Sequence, residues 1–348
     1  MSLEQTLLDG AKRTAMEDKI YDLAVIGGGG GGTMAYLRGV LNANHSVLFT
    51  GDADAKRKGR ATWVMDVDNI PGMHGLERPI TKTASTTLKW IKDQDSLKDF
   101  GTVMKAKVTN VRIEDDLFVL EYSTRKESAS LRTRHVILAT GIMDVQPEIG
   151  GSIEPIFPYA NKGEAIYCVR CDGHRTLGHT LSVVGRNDTA IHIACMMMDR
   201  YGQESVPILT NGPGAEFSDD ALAAAKLYGL EIIEQPITSA NGDPETGLSG
   251  FTLEGGREVH FSRTIIALGI IAYNQLLLEV GGEVDSVGKA KVDEHFESSV
   301  PNFFVVGDLA SGSKMQIYTA WDEAVDAADT VDRRVRAMKR KVRKAAQA

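Results

Sequence analysis

Short apolar runs alternate along this chain with glycine-rich or polar turns and with longer segments of mixed polarity. Residues 21–26 (YDLAVI) form one such run and precede six consecutive glycines. Residues 33–44 then have the apolar spacing of a helix, and a second apolar run follows at 45–51. This order of strand, glycine loop, helix and strand is typical of the opening of a dinucleotide-binding α/β unit.

The same order occurs again in the middle of the chain. Residues 179–202 predict a strand, a tight turn and a helix, and residues 205–211 predict the next strand. The chain is therefore predicted to be an α/β protein with two Rossmann-like dinucleotide-binding domains. Further elements are predicted as a short helix over 3–15, strands at 107–123, 134–141, 264–269 and 303–308, and a long helix from Ile317 into the C-terminal tail.

The composition is that of a packed globular protein. The chain has 348 residues, of which 43% are hydrophobic and 25% charged, and this size favours two domains. No uninterrupted apolar run approaches the ~18 residues of a membrane span, and the charged N-terminal segment lacks the apolar core of a secretory signal. Three cysteines favour a reducing compartment. We therefore expect a cytoplasmic protein without a membrane segment.

Charge is distributed unevenly along the chain. The net charge is −8, but residues 333–348 hold eight basic and no acidic residues, which leaves −16 on the remainder. A body this acidic disfavours nucleic acid as a partner. The basic tail is either the solvated end of a helix or a docking surface for an acidic partner.

The glycine run contains the register GxGxxG at Gly27, Gly29 and Gly32. Glycine permits a tight turn and a close approach of the backbone to a pyrophosphate at a helix N-terminus. Six glycines satisfy this spacing trivially, so the evidence is their place between a strand and a helix. A bare flexible loop is the alternative. The acidic ribose ligand expected about 20 residues later is not clear, since only Asp52 follows the second strand.

Residues 168–171 (CVRC) form a CxxC motif that allows three interpretations. A redox dithiol needs one stabilised thiolate, and Arg170 offers positive charge. Two buried, inert thiols are a second possibility. A tetrahedral zinc site would use four ligands, Cys168, Cys171, His174 and His179. The third cysteine, Cys195, is predicted to lie in the core on a helix face.

Five segments of the chain occur in an informative order. They are 21–32 (YDLAVIGGGGGG), 47–51 with 68–72 (VLFTG and DNIPG), 136–141 (VILATG), 168–173 (CVRCDG) and 303–320 (FFVVGDLASGSKMQIYTA). In this order they resemble the low-molecular-weight thioredoxin reductases, flavoproteins of the pyridine nucleotide–disulfide oxidoreductase group. The resemblance covers nearly all of the chain beyond residue 20, and it implies that the CxxC is the redox centre.

The resemblance also implies a domain plan. Residues 21–150 and 274–348 would form a discontinuous FAD-binding domain after an N-terminal helical extension at 1–20. Residues 151–273 would form an inserted NAD(P)-type domain that carries the CxxC. The family further implies a homodimer.

The FAD ligands follow from the same resemblance. Asp308 would bind the ribityl chain, Asn69 would contact the flavin, and Met315 and Gln316 would lie near its pyrimidine edge. The full implied set is Gly27, Gly29, Gly31, Gly32, Thr50, Gly51, Asn69, Thr140, Gly141, Gly307, Asp308, Met315 and Gln316.

The resemblance assigns roles to the redox residues as well. Cys171 would face the flavin, and Cys168 would attack the substrate disulfide. Asp172 would protonate the leaving thiolate, which requires a carboxyl with a raised pKa. Without the family context, Asp172 is equally a turn former in an Asp-Gly pair.

The second nucleotide motif departs from the family pattern GxGxxA. Asn187 replaces the middle glycine, and its side chain would crowd a pyrophosphate. The strand and turn at 209–216 (LTNGPGAE) contain no Arg or Lys for the 2′-phosphate of NADPH. NADPH is therefore not the predicted donor, and the second pocket is either empty or holds another nucleotide. This degenerate site comprises Gly185, Asn187, Thr189 and Ala190.

Trp321 is a second departure, because the family has a small residue there. It would stack on the flavin or block nucleotide access. A core or dimer-interface aromatic is the alternative.

Together these observations predict an FAD-dependent dithiol/disulfide oxidoreductase. Electrons would pass from flavin to the Cys168–Cys171 disulfide and on to a protein disulfide such as that of thioredoxin. Ferredoxin or another non-NADPH donor would supply them. The alternatives are a conventional NAD(P)H-dependent thioredoxin reductase, a dithiol oxidase that uses oxygen, and a non-enzymatic flavoprotein sensor or zinc-binding module.

Overall fold

The computed structural model describes residues 19–51, 59–60, 65–125 and 127–347. The chain divides into two compact units. The predicted helix over 3–15 and Asp52 lie outside the described residues. Unit 1 comprises residues 1–62, 80–143 and 272–348, and unit 2 comprises residues 63–79 and 144–271.

Unit 1 is built on a five-stranded parallel sheet and a four-stranded sheet. Its strands are β1 (Ile20–Tyr21), β2 (Leu23–Ile26), β3 (Ser46–Phe49), β4 (Gly101–Met104), β5 (Lys107–Glu114), β6 (Leu117–Ser123), β7 (Ser128–Thr133), β8 (Val136–Leu138) and β19 (Phe303–Val305). Its helices are α1 (Gly30–Leu41), α2 (Pro79–Asp93), α7 (Gln275–Glu279) and α8 (Ile317–Ala345). The parallel sheet has the order β19-β8-β2-β3-β4, and the other sheet has the order β1-β7-β6-β5.

The apolar run of β2 is continuous because both faces of the parallel sheet are buried. Leu23 and Val25 point to one face, where α1 and α8 complete the core. Ala24 and Ile26 point to the other face, where they join a second apolar cluster. The alternation of successive side chains across a strand therefore divides a single run between two cores.

Unit 2 repeats this arrangement with a five-stranded parallel sheet and a three-stranded antiparallel sheet. Its strands are β10 (Ala165–Ile166), β11 (Leu181–Gly185), β12 (Ile208–Leu209), β13 (Ile232–Ile233), β14 (Ile237–Asp243), β15 (Gly247–Leu253), β16 (Glu258–His260) and β17 (Arg263–Ala267). Its helices are α3 (Phe157–Asn161), α4 (Val169–Asp172), α5 (Asp188–Tyr201) and α6 (Asp219–Leu227). The parallel sheet has the order β10-β17-β11-β12-β13, and β14, β15 and β16 form an antiparallel sheet. Each unit thus has the predicted strand, turn, helix and strand.

The chain passes between the units at two short strands that pair with each other, β9 (Ile142–Asp144) and β18 (Ile270–Ala272). The observed units differ from the predicted domains in three places. Residues 144–150 cluster with unit 2, where Ile149 is buried in its core. Residues 63–79 also cluster with unit 2, in which Asp68 forms an ion pair with Arg175, and residues 272–273 cluster with unit 1.

The last helix extends beyond its packing partners. Val335 is buried, whereas every described residue from 339 onward is exposed. The five basic residues from Lys339 to Lys344 therefore present their charge to solvent, whereas Arg334 forms an ion pair with Glu297 and Arg336 one with Asp332. Within the described ranges, no helix combines the length and apolar character needed to cross a bilayer.

Candidate functional site: a glycine cradle and a disulfide turn

Backbone contacts at two positions of the glycine loop between β2 and α1 leave no room for a side chain. Gly27 has a φ of +115°, and a Cβ there would overlap the carbonyl oxygen of Ala139. A Cβ at Gly32 would overlap the carbonyl oxygen of Gly27. A Cβ at Gly31 would meet that of Ala320 on α8 at 3.5 Å. The packing of strand, loop and helix therefore itself requires glycine at positions 27 and 32.

Gly29 has a different environment. A Cβ at this position would have no atom of the described residues within 4 Å. Gly29 precedes α1 and offers no side-chain cap, and the first turn of the helix contains no acidic residue. At Gly29, the positive end of the helix dipole therefore has no described side chain within 4 Å of the Cβ position. A pyrophosphate fits such a site, so these residues suit FAD.

The predicted residues Thr50, Gly51, Thr140 and Gly141 follow β3 and β8. These strands are parallel neighbours of β2, so their carboxyl ends lie at the same edge of the sheet as the glycine loop. Thr140 Oγ1 donates to the carbonyl of Tyr273 at 2.7 Å. The sheet thus brings four predicted FAD residues to the edge where a dinucleotide binds.

The Gly307–Asp308 turn at the end of β19 is held by a buried carboxylate. Gly307 has a φ of +77°, and its N–H donates to Glu323 Oε2 at 2.6 Å. Arg60 Nη1 lies 3.8 Å from Asp308 Oδ2. Burial raises the pKa of Glu323, and its hydrogen bond from Gly307 opposes that shift.

Two residues near this turn are not predicted from the sequence: Glu323, which contacts it, and Lys289, which feels its charge. Lys289 is 7% exposed, and burial lowers the pKa of its ammonium group. The charges of Asp308, Asp285 and Glu323 offset only part of this shift. The signal in the sequence was Glu323 itself, which interrupts the small apolar face of α8. A buried acid of this kind needs a donor or a cation beside it.

Replacing Glu323 by alanine is expected to lower the free energy of unfolding by about 1–3 kcal/mol, since it leaves the Gly307 N–H without its buried acceptor. Urea unfolding of the apoprotein measures this change. Asp326→Ala is the matched control, because Asp326 is an exposed acid on the same helix. Equal stability of the two variants would contradict the assigned role of Glu323.

Met315 and Gln316 precede α8. Met315 has a φ of +54°, an uncommon backbone conformation for a residue other than glycine. Gln316 is buried, and its Nε2 donates to the carbonyl of Met315 at 3.0 Å. The side chain of Gln316 therefore supports the strained segment. Their proposed contact with the flavin stays a prediction.

Trp321 lies beside the glycine loop. A Cβ at Gly30 would be 2.8 Å from Cγ1 of Ile317 and 3.7 Å from Nε1 of Trp321. The indole is half-buried against the first turn of α1. Its neighbour is thus the turn predicted to hold the pyrophosphate, and flavin stacking stays a prediction.

Cys168 and Cys171 are joined by a disulfide, with their Cα atoms 5.3 Å apart. Cys168 precedes α4, and its Sγ accepts a hydrogen bond from the Cys171 N–H at 3.1 Å. Both residues are half-buried. A disulfide within reach of solvent on a single helical turn is suited to reversible thiol–disulfide exchange.

Asp172 follows the disulfide on the same turn. Burial raises the pKa of its carboxyl, and the charge of Arg175 opposes that shift. The carboxyl is therefore protonated up to a higher pH than that of an exposed aspartate. This is the property that a proton donor to a leaving thiolate requires.

In the second strand–turn–helix of the chain, a side chain of the turn caps the N-terminus of the helix. The side chain of Asn187 accepts a hydrogen bond from the Thr189 N–H at 3.1 Å at the N-terminus of α5. Asp188 adds a carboxylate in the first turn, which accepts from the N–H and hydroxyl of Ser218 at 2.8 and 2.7 Å. The helix end that binds pyrophosphate in such folds is thus occupied by this chain's own acceptors and carries negative charge.

This turn is tightly packed as well. A Cβ at Gly185 would be 2.7 Å from that of Ala190 and 3.0 Å from the carbonyl oxygen of Ala267. Arg186 donates to the carbonyl of Pro213 in the loop after β12. The one basic side chain at this turn is therefore engaged with the backbone of its own unit.

The four residues of the zinc alternative have other partners. Cys168 and Cys171 are bonded to each other, His174 Nε2 lies 3.0 Å from Asp68 Oδ2, and His179 Nδ1 lies 3.2 Å from Ser262 Oγ. Among the described residues, His, Cys, Asp and Glu form no group of three or more that is placed to hold a metal ion.

Cys195 differs from its prediction as a core residue. It is only half-buried on α5, where one side packs against the core of unit 2 and the other lines an open surface groove. Burial raises the pKa of its thiol, and Asp199 adds to this shift. The thiol is thus a poor nucleophile at neutral pH.

The model of the pyridine nucleotide-disulphide oxidoreductase family matches residues 21–324, and the chain belongs to that family. The fold is similar to that of thioredoxin reductase from Streptococcus pyogenes MGAS5005, with a TM-score of 0.74 and 20% identity over 91% of this chain and 99% of that chain. The predicted α/β class with two Rossmann-like domains is confirmed.

Two relatives with similar sequences cover different shares of their own length. An NADH dehydrogenase of Bacillus subtilis (strain 168) is 28% identical over 341 residues, which are 94% of this chain and 62% of the relative. A thioredoxin reductase of Mycoplasmopsis pulmonis (strain UAB CTIP) is 21% identical over 336 residues, which are 92% of this chain and 99% of the relative. The chain thus spans about six-tenths of the first relative and nearly all of the second.

Proposed function

We propose that this protein is an FAD-dependent dithiol/disulfide oxidoreductase whose electron donor is not NADPH. The observation that carries the proposal is the half-buried Cys168–Cys171 disulfide with the raised-pKa carboxyl of Asp172 on the same turn. FAD, when bound, supplies the two electrons that convert the disulfide to a dithiol. The substrate is a protein disulfide, with thioredoxin as the example set by the thioredoxin reductase relatives.

The chain's own residues then carry the exchange. The Cys168 thiolate attacks one sulfur of the partner disulfide, so a mixed disulfide forms and the partner S–S bond breaks. The leaving sulfur takes the proton of Asp172. Cys171 next gives its proton to the Asp172 carboxylate and attacks the sulfur of Cys168, which re-forms the internal disulfide and breaks the mixed disulfide. The second leaving sulfur takes that proton from Asp172 and departs as a thiol, and Asp172 regains a proton from solvent. Two electrons pass to the partner in one cycle.

The self-capped second nucleotide site supports the choice of donor. Asn187 occupies the helix end and Asp188 makes it acidic. Both features oppose a pyrophosphate, and Glu216 adds charge that opposes a 2′-phosphate. A ferredoxin is the donor we propose, because it is acidic and the exposed basic tail of α8 is complementary to it. The cytoplasmic location and the homodimer remain predictions from the sequence.

The second candidate is a conventional NAD(P)H-dependent reductase. The name of the Bacillus subtilis relative, NADH dehydrogenase, favours it. NADH lacks the 2′-phosphate, so the absence of arginine and lysine from residues 209–216 does not oppose NADH. The caps at Asn187 and Asp188 oppose both nucleotides equally.

An anaerobic titration of the FAD-loaded protein separates the two candidates. We expect reduced ferredoxin to bleach the flavin absorbance and NADPH and NADH to leave it unchanged. The double variant Asn187→Gly/Asp188→Asn is expected to gain binding of NADH, since it removes both the crowding side chain and the charge. Rapid bleaching of the unaltered protein by micromolar NADPH or NADH would contradict the proposed donor.

A further inference from the structure

Arg175 lies between two carboxylates beside the disulfide turn. Its Nε and Nη2 donate to Asp68 Oδ2 at 2.9 and 2.7 Å. The same Nε lies 3.5 Å from Asp172 Oδ1. A third carboxylate, Asp66, lies 3.5 Å from Nη1. One guanidinium is therefore shared between the carboxyl proposed as the proton donor and the segment 63–79.

The position of Arg175 is fixed by its surroundings. The guanidinium lies over Gly163, where a Cβ would be 2.8 Å from Nη1 and where φ is +70°. The next residue, Thr176, is buried, and its hydroxyl donates to the carbonyl of Gly173 at 2.8 Å. The carbonyl of Thr176 accepts from Gln203 at 2.9 Å. Arg175 thus projects from an anchored turn into space that glycine leaves open.

Four charged groups act on the carboxyl of Asp172 besides its burial. Burial raises the pKa of this carboxyl most, and the positive charge of Arg175 lowers it. The charge of Asp68 raises the same pKa, that of His174 lowers it, and that of Asp66 raises it.

We propose that Arg175 is a positioning residue for the Asp172 carboxyl, and that Asp68 sets how much of the Arg175 charge reaches it. This inference rests on the proposed function. When the partner's S–S bond breaks, the proton of Asp172 passes to the leaving sulfur and Asp172 becomes a carboxylate. The guanidinium at 3.5 Å stabilises that carboxylate, so proton release is favoured at the step that needs it.

Asp68 has the opposite effect. It takes two hydrogen bonds of Arg175 and one from His174 on a single oxygen. Its negative charge therefore offsets the field that Arg175 exerts on Asp172. Replacement of Arg175 and replacement of Asp68 should shift the titration of Asp172 in opposite directions.

The test is the pH profile of kcat/KM for reduction of a protein disulfide by the FAD-loaded enzyme, with reduced ferredoxin as the source of electrons. Activity should fall at high pH as Asp172 loses its proton, and Asp172→Asn should lack this descending limb. Arg175→Gln should move the limb to higher pH by about one unit. Asp68→Asn should move it to lower pH. Arg175→Lys keeps the charge but not the planar fork, and it should shift the limb upward by less than Arg175→Gln.

Arg257→Gln is the matched control, because Arg257 forms an ion pair of the same type with Glu231 in the same unit. Its profile should coincide with that of the unaltered enzyme. Coincident profiles for Arg175→Gln, Asp68→Asn and the unaltered enzyme, or shifts of the same sign, would overturn the inference and leave the proposed function intact. Absence of disulfide reduction by the unaltered enzyme would overturn the proposed function itself. If Arg175→Gln does not fold, the signs of Arg175→Lys and Asp68→Asn decide the question.

Discussion

Replacing Cys168 with serine is expected to reduce disulfide turnover by about three orders of magnitude or more while FAD stays bound. Serine keeps the size and the polar cap of α4 but cannot form the mixed disulfide through which the reaction proceeds. Cys168 lies in unit 2, whereas the glycine cradle that suits FAD lies in unit 1. The flavin content of the purified variant and its rate of thioredoxin disulfide reduction are the two measurements.

Cys195→Ser is the matched control for this experiment. Cys195 is the third and last cysteine of the chain and is half-buried on α5, outside the disulfide. Its replacement should leave turnover within about twofold, as expected for a substitution that removes no reacting group. Turnover that survives Cys168→Ser, or that is lost in Cys195→Ser, would show that the exchange does not proceed through Cys168.

Replacing Gly32 with alanine is expected to destabilise the protein by about 3 kcal/mol and to abolish FAD binding. The added Cβ would overlap the carbonyl oxygen of Gly27, which is backbone and has no rotamer with which to move away. The strand–loop–helix packing would have to open, and the helix N-terminus would leave its place at the sheet edge. Urea unfolding of the apoprotein and flavin content after reconstitution measure the two effects.

Gly29→Ala separates packing from ligand contact. Because no described atom lies within 4 Å of its Cβ, the variant should unfold within about 0.5 kcal/mol of the unaltered apoprotein. The new methyl group would occupy the approach to the α1 N-terminus, so FAD affinity should nevertheless fall at least tenfold. Unchanged FAD affinity in Gly29→Ala would mean that the pyrophosphate does not approach at this position.

Local patterns were sufficient for the fold class. The apolar runs of β2 and β11 and the turns that follow them predicted two dinucleotide-type units, and the structure contains both. The boundaries were less accurate: the strand predicted at 134–141 is β8 (Val136–Leu138), and that at 205–211 is β12 (Ile208–Leu209). Strand ends depend on pairing with a neighbour, which the sequence of one segment does not contain.

The predicted domain limits also differ from the observed units because of contacts distant in the sequence. Residues 63–79 follow the first nucleotide motif in sequence, yet they cluster with unit 2 through ion pairs to Arg175. Nothing in the DNIPG motif indicates that partner, since the two residues are more than 100 positions apart. The spacing of the two cysteines likewise allows either a redox pair or a zinc site, and only the resemblance to the family favours the redox pair.

Contiguous patterns in the chain are enough to predict the two nucleotide-type units, the glycine cradle, the CxxC with its following aspartate and the degenerate second motif, because each has a local physical cause. Which charges surround these motifs depends on the assembled fold. Glu323 under the Gly307 turn and Arg175 between Asp68 and Asp172 are brought to their sites by packing over long sequence separations. Burial then sets the pKa of each group, and burial is a property of the assembled fold rather than of any segment of the chain.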